Sequence, residues 1–189
     1  MNIFISGGCK NGKSYYAQRI AKDMADIKGV PLYYLATMIS KDEEDEIRIK
    51  RHISERAGWG FDTIEQGEKI CDCLKGCVRN HIDGKTDRQV DPNGVFLLDS
   101  VTALLSNEMF MSDGKFDFKA ADRVASELVE FATKTGNTVF VSDYIYSDSR
   151  NLDSYTEKYR KGLATVDKAL AQICDKVIEV AYGNINNFK

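Results

Sequence analysis

Eight residues near the amino terminus, Gly7-Gly8-Cys9-Lys10-Asn11-Gly12-Lys13-Ser14, constrain the fold of this 189-residue chain more than any other feature. They fit the pattern G-x-x-x-x-G-K-[S/T] in full. An apolar run, residues 3–6, enters them directly, and a helical pattern over residues 14–25 leaves them, with Tyr16, Ile20 and Met24 near one face. A strand that turns through glycines into a helix is what an anion cradle requires. Gly7 and Gly12 permit turns that aim successive backbone N–H groups inward, and the helix adds the positive end of its dipole. In this arrangement Gly7, Gly8, Cys9, Lys10, Asn11 and Gly12 wrap the phosphates of a nucleoside triphosphate. Lys13 reaches the outer phosphates and the Ser14 hydroxyl ligates Mg²⁺. A chance match in a glycine turn would lack the flanking strand and helix.

The remainder of the chain alternates in the same way. Apolar strands are predicted over residues 32–36, 95–98, 138–142 and, finally, 176–180. Helices are predicted over residues 41–56, 64–78, 120–134 and 156–173, with a polar surface loop over 79–94. Strand–helix alternation predicts an α/β fold with a mostly parallel sheet and helices on both faces. The length suits one domain over residues 1–189, without repeats. The run Val95-Phe96-Leu97-Leu98 ends in Asp99, a carboxylate at the carboxyl end of a strand, where ligands of parallel sheets bind. It has the form of a Walker B element, so Asp99 joins Ser14 as a predicted Mg²⁺ ligand.

Bulk properties narrow the partners. The formal net charge of −3 gives no basic field for nucleic acid or a membrane surface. No apolar run has the length of a membrane span, and the first residues do not form a secretory signal, so a cytoplasmic protein is expected. The five cysteines are then read as free thiols. Cys71, Cys73 and Cys77 with His81 leave a metal site open, but their spacing matches no common zinc pattern, and small side chains on one helix are the simpler expectation.

The segment KDEEDEIRIKRHISER, residues 41–56, has acids first and bases last, in accord with the helix dipole. On a helix Arg48, His52 and Arg56 fall at i, i+4 and i+8. Two guanidiniums flanking an imidazole suit phosphate binding, and the imidazole could attack phosphorus. A solvated, salt-bridged helix face gives the same spacing, and spacing alone favours it.

Several segments together resemble a known family, adenosylcobinamide kinase/adenosylcobinamide-phosphate guanylyltransferase of cobalamin biosynthesis. Its amino terminus, ILVTGGARSGKS, is similar to Ile3-Phe4-Ile5-Ser6-Gly7-Gly8-Cys9-Lys10-Asn11-Gly12-Lys13-Ser14. A YIAT-type strand, an acidic helix with R-I-x-x-H-x-x-x-R and a Trp correspond to Tyr34-Leu35-Ala36-Thr37, then Arg48-Ile49, His52, Arg56 and Trp59, with Glu65 following. Leu97-Leu98-Asp99-Ser100-Val101-Thr102 and Ser106-Asn107 resemble the next block. Two departures stand out: Asp143-Tyr144-Ile145-Tyr146 replaces an Asn-Glu-Val-Gly turn, and Asp167-Lys168 replaces an Asn-Gln pair.

The resemblance implies a RecA-like P-loop sheet, a homo-oligomer, and two reactions. A triphosphate, ATP or GTP, phosphorylates the aminopropanol hydroxyl of adenosylcobinamide. GTP then transfers GMP to that phosphate through a guanylylated histidine, and His52 matches that histidine. Arg48 and Arg56 would neutralise the phosphates. Two other functions fit the same motifs: a P-loop small-molecule kinase without guanylyl transfer, and a GTP-gated binding module.

Overall fold

The computed structural model describes residues 1–40, 42–78, 88–111, 114–146 and 152–189. The strands are β1 (Ile3–Gly7), β2 (Leu32–Ala36), β3 (Asp62–Glu65), β4 (Cys77–Val78), β5 (Arg88–Gln89), β6 (Val95–Asp99), β7 (Thr138–Asp143), β8 (Lys176–Ala181) and β9 (Asn184–Asn187). The helices are α1 (Lys13–Lys28), α2 (Glu43–Glu55), α3 (Val101–Met109), α4 (Ala120–Thr135) and α5 (Ser154–Ile173). Seven strands form one sheet in the order β3-β2-β6-β7-β1-β8-β9. All its pairs are parallel except β8 with β9.

The central strands are buried on both faces, which is why β1, β2, β6 and β7 read as near-continuous apolar runs rather than alternating ones. Ile3, Ile5, Leu32, Tyr34, Leu97 and Val139 pack against the small face of α1, formed by Ala17, Ala21 and Ala25. Phe4, Leu35, Phe96, Leu98 and Phe140 point the other way, into α3, α4 and α5. There Phe96 stacks on Tyr33 at 4.9 Å and meets Phe131 of α4 edge-on at 5.3 Å. Phe131 is fully buried, so Phe131→Ala would cost about 3–5 kcal/mol. Among the described residues no helix is long and apolar enough to cross a membrane.

Three expectations need correction. The helix predicted over residues 64–78 is absent. Its start pairs with β2 as the edge strand β3, and a short 3₁₀ helix (Ile70–Lys75) and β4 follow. Glycines at 67 and 76 bracket the 3₁₀ helix, and burial of Ile70 and Cys73 satisfies the apolar spacing that suggests a longer helix. Cys71, Cys73 and Cys77 therefore do not share one helix. No cluster of three potential metal ligands occurs among the described residues, and His81 lies outside them. The loop predicted over 79–94 is interrupted: Arg88 and Gln89 form β5, antiparallel to β4, while residues 79–87 lie outside the described residues. Finally, β8 is not the last strand. Tyr182 and Gly183, both with positive φ, turn the chain back into β9.

One helix is missing from the sequence expectations. Ser100 caps α3, its Oγ accepting from the Ala103 amide at 3.2 Å. Val101, Leu104 and Leu105 then bury one face at helical spacing. The signal is an N-cap serine followed by an i, i+3, i+4 apolar set.

Candidate functional site

The carboxyl ends of β1, β6 and β7 converge beside the amino end of α1. Around them opens a cleft of about 1590 Å³. Its lining includes Cys9–Tyr15 of the phosphate loop, Asp99, Asp143, Glu65 of β3, and Arg48, His52 and Arg56 from the α2 segment. Sites of parallel sheets form at such strand ends.

The loop geometry assigns different tasks to its two named glycines. Gly12 caps α1 with φ 88°, a left-handed conformation that favours glycine. It offers no capping side chain and the first turn holds no acid, so the helix end is electrostatically open to an anion. Gly7 is a regular strand residue instead. A Cβ there would strike the Val180 carbonyl and the Asn11 amide, so close approach, not turning, requires glycine. Neither Gly7 nor Gly8 lines the cleft; the Gly8 carbonyl accepts from Lys13 Nζ at 3.2 Å. Asn11 ties the loop to β8 by donating to the Val180 carbonyl. Cys9 is exposed.

Lys13 is nearly buried and pairs with Asp143, Nζ to Oδ1 2.6 Å. The sequence expectations give Asp143 no role, yet the signal is present: Val139-Phe140-Val141-Ser142-Asp143 is a second apolar strand ending in a carboxylate. Because β7 lies between β1 and β6, it is this carboxylate that reaches the lysine. The Thr102 hydroxyl fixes the Asp143 backbone by accepting its N–H at 2.8 Å.

Asp99 lies one strand further away and faces the loop's hydroxyl end. Its Oδ2 accepts from Tyr34 OH at 3.0 Å, and the Ser14 hydroxyl also bonds the carboxylate. Burial raises its proton affinity, countered by these two hydrogen bonds and by the charges of His52 and Lys13. Two hard oxygens, from Ser14 and Asp99, at the phosphate end of the cleft suit Mg²⁺, which takes few protein ligands and completes its shell with phosphate and water.

The structure brings Arg48, His52 and Arg56 to the same cleft but not as one uniform strip. Arg48 lies beside Glu44 and Asp45 at 3.7 and 3.9 Å on the open helix face. His52 is half-buried. Arg56 follows the helix as its C-cap, buried, with its guanidinium 3.9 Å above the Tyr34 ring. Burial lowers its pKa, offset by Tyr34, Asp99 and Glu65. It thus joins α2 to β2 as much as it faces solvent. Trp59 meets Tyr15 edge-on at 5.6 Å, outside the cleft lining.

A parallel sheet with a phosphate loop after its first strand, a carboxylate on a strand one removed from it, and an open helix end define a P-loop nucleoside triphosphatase fold. A solved ATPase domain shares that fold, with a TM-score of 0.50 and 13% identity over 94% of this chain and 68% of that one. Residues 3–187 match the family of cobinamide kinase / cobinamide phosphate guanyltransferase, and the chain belongs to that family. It is similar to the bifunctional adenosylcobalamin biosynthesis protein CobU of Escherichia coli (strain K12), 28% identical over 127 residues, 67% of this chain. The protein of the same name from Salmonella typhimurium is 27% identical over 128 residues. The matched segment spans 60% of the length of these curated relatives.

Proposed function

We propose that this protein phosphorylates adenosylcobinamide and then transfers GMP from GTP to adenosylcobinamide phosphate, with His52 as the guanylyl carrier. The observation that carries the reading is the meeting, in one cleft, of the phosphate loop with His52, Arg48 and Arg56. A phosphate loop alone serves many reactions. A histidine presented to the same cleft between two arginines is what a nucleotidyl transfer adds.

In the first reaction the substrate hydroxyl attacks the γ-phosphorus, the bond from γ-phosphorus to the bridging oxygen breaks, and the nucleoside diphosphate leaves. ATP and GTP both fit this step. Lys13 and the loop amides hold the phosphates, and Asp143 or Glu65, both in the cleft lining, stands where a hydroxyl proton can be received. In the second reaction a His52 ring nitrogen attacks the α-phosphorus of GTP and pyrophosphate leaves. The phosphate of the corrinoid then attacks that phosphorus, and the N–P bond breaks. Arg48, exposed on the open face of α2, is the more accessible cation for the departing pyrophosphate, since Arg56 is buried against Tyr34. Mg²⁺ held by Ser14 and Asp99 would neutralise charge on the phosphate oxygens. The cleft volume of about 1590 Å³ exceeds the roughly 300–1,000 Å³ of an ordinary small-molecule site, as a nucleotide plus a second substrate requires.

Labelling with α-³²P-GTP tests the reading. A label on the wild type that survives base, is lost in acid and is absent from His52→Ala is the expected result. An unlabelled wild type that nonetheless binds GTP would remove His52 from the chemistry.

A further inference from the structure

Tyr34 of β2 meets a residue of each proposed half-reaction. Registered opposite Leu97 of β6, it stands on the same sheet face as Asp99, two residues further along that strand. Its hydroxyl reaches along the sheet and donates to Asp99 Oδ2 at 3.0 Å. On its other flank Tyr34 registers with Thr63 of β3. There the Arg56 guanidinium lies 3.9 Å over the ring and donates to Thr63 Oγ1 at 3.4 Å. Phe61 meets the ring edge-on at 5.8 Å. Tyr34 is 4% exposed and Arg56 7%, so both of these contacts are shielded from water.

A phenylalanine would supply the same packing and the same face to the guanidinium, so the hydroxyl has a task of its own. A buried phenol needs a hydrogen-bond partner, and here the partner is the carboxylate expected to hold Mg²⁺ with Ser14. A carboxylate fixed through one oxygen presents the other in a set direction, and such outer contacts govern how well a metal ligand works. The ring has a different task. No described residue of α2 is buried, and Arg56, its C-cap, is the buried point at which the end of the helix meets the sheet.

We propose that Tyr34 is a positioning residue for both half-reactions: its hydroxyl orients Asp99 towards Mg²⁺, and its ring seats Arg56 and with it the helix that presents His52. The inference rests on the two-reaction reading above. Its readouts are metal-dependent binding and helix exchange, which need no turnover, so its failure and a missing His52 label are separate results.

Isothermal titration of the full chain gives the ratio of the GTP Kd in EDTA to that in Mg²⁺. Tyr34→Phe keeps the ring and should lower this ratio about tenfold. A merely structural role would shift both Kd values together and leave the ratio alone. In hydrogen exchange the α2 amides of Tyr34→Phe should match the wild type, whereas Arg56→Met should speed them about fivefold. Tyr34→Leu should lower the ratio and speed α2 as well, and adding Arg56→Met to it should speed α2 no further. A ratio unchanged in Tyr34→Phe, or a wild type that binds GTP equally with and without Mg²⁺, would overturn the role of the hydroxyl. An α2 rate unmoved by Arg56→Met, or effects of the two substitutions that add in full, would overturn the role of the ring. Should Tyr34→Leu not fold, Tyr34→Phe and Arg56→Met still decide between these outcomes.

Discussion

Lys13 must trade one anionic partner for another. Its Nζ sits 2.6 Å from Asp143 Oδ1, with the lysine side chain 8% exposed and the aspartate 28%. To engage the outer phosphates it has to loosen this pair, and the Asp143 charge also repels the incoming polyanion. Asn at 143 keeps the shape, removes both effects, and is the residue of the related family pattern. Asp143→Asn should therefore bind GTP about 3- to 10-fold more tightly, the equivalent of about 0.7–1.4 kcal/mol for a partly buried pair. Isothermal titration of the two proteins checks this. Weaker binding by the variant would mean that Asp143 positions Lys13 for the phosphates. If Asp143 also receives the hydroxyl proton, the tighter-binding variant will be the slower kinase.

The helix that carries His52 is the least anchored element. No described residue of α2 is buried, and Ile47 and Ile53 are exposed. Its start depends on Asp42, whose side chain accepts from the Asp45 amide at 2.9 Å. Asp42→Ala should cost about 1 kcal/mol locally, raising hydrogen exchange of α2 amides about fivefold. The buried helix α4 should exchange at an unchanged rate. If α4 accelerates equally, α2 is part of the global folding unit. This exposure also explains what could be read from sequence. The acids-then-bases order of α2 is a local signal, and β1, β2, β6 and β7 announce themselves because both faces of each are buried. The phosphate loop is legible because its chemistry is encoded in consecutive residues. β9 is not, since its residues Asn184–Asn187 are all exposed and have no apolar pattern; only the turn at Tyr182-Gly183 makes it. β3 is misread because four residues on a sheet edge can also be spaced like a helix. The partners of Lys13 and Asp99 are hidden for another reason: Asp143 and Tyr34 meet them only through the strand order.

At the scale of the whole molecule, the order β2-β6-β7-β1-β8 lays the nucleotide cleft along one edge, and leaves the Asp167 carboxyl buried beneath the sheet. That carboxyl titrates at about 7 in the fold, against 3.8 for its ordinary value; burial raises it, and the hydrogen bonds from Ser142 and Tyr146 only partly oppose this. Between those two values the native state holds a proton that the unfolded chain has released. Stability from this group is therefore fully present below about pH 4, falls as the pH rises towards 7, and is absent above it. The three-unit difference bounds the effect at about 4 kcal/mol. Asp167→Asn has no such proton to lose. The difference in unfolding free energy, variant minus wild type, should rise between pH 4 and pH 8 by up to that amount, while the protein's other carboxylates affect both chains equally. Urea denaturation across this range measures it. A difference that stays flat with pH would show that the Asp167 carboxyl keeps its ordinary proton affinity in the fold, with a donor supplied to Oδ1 from solvent.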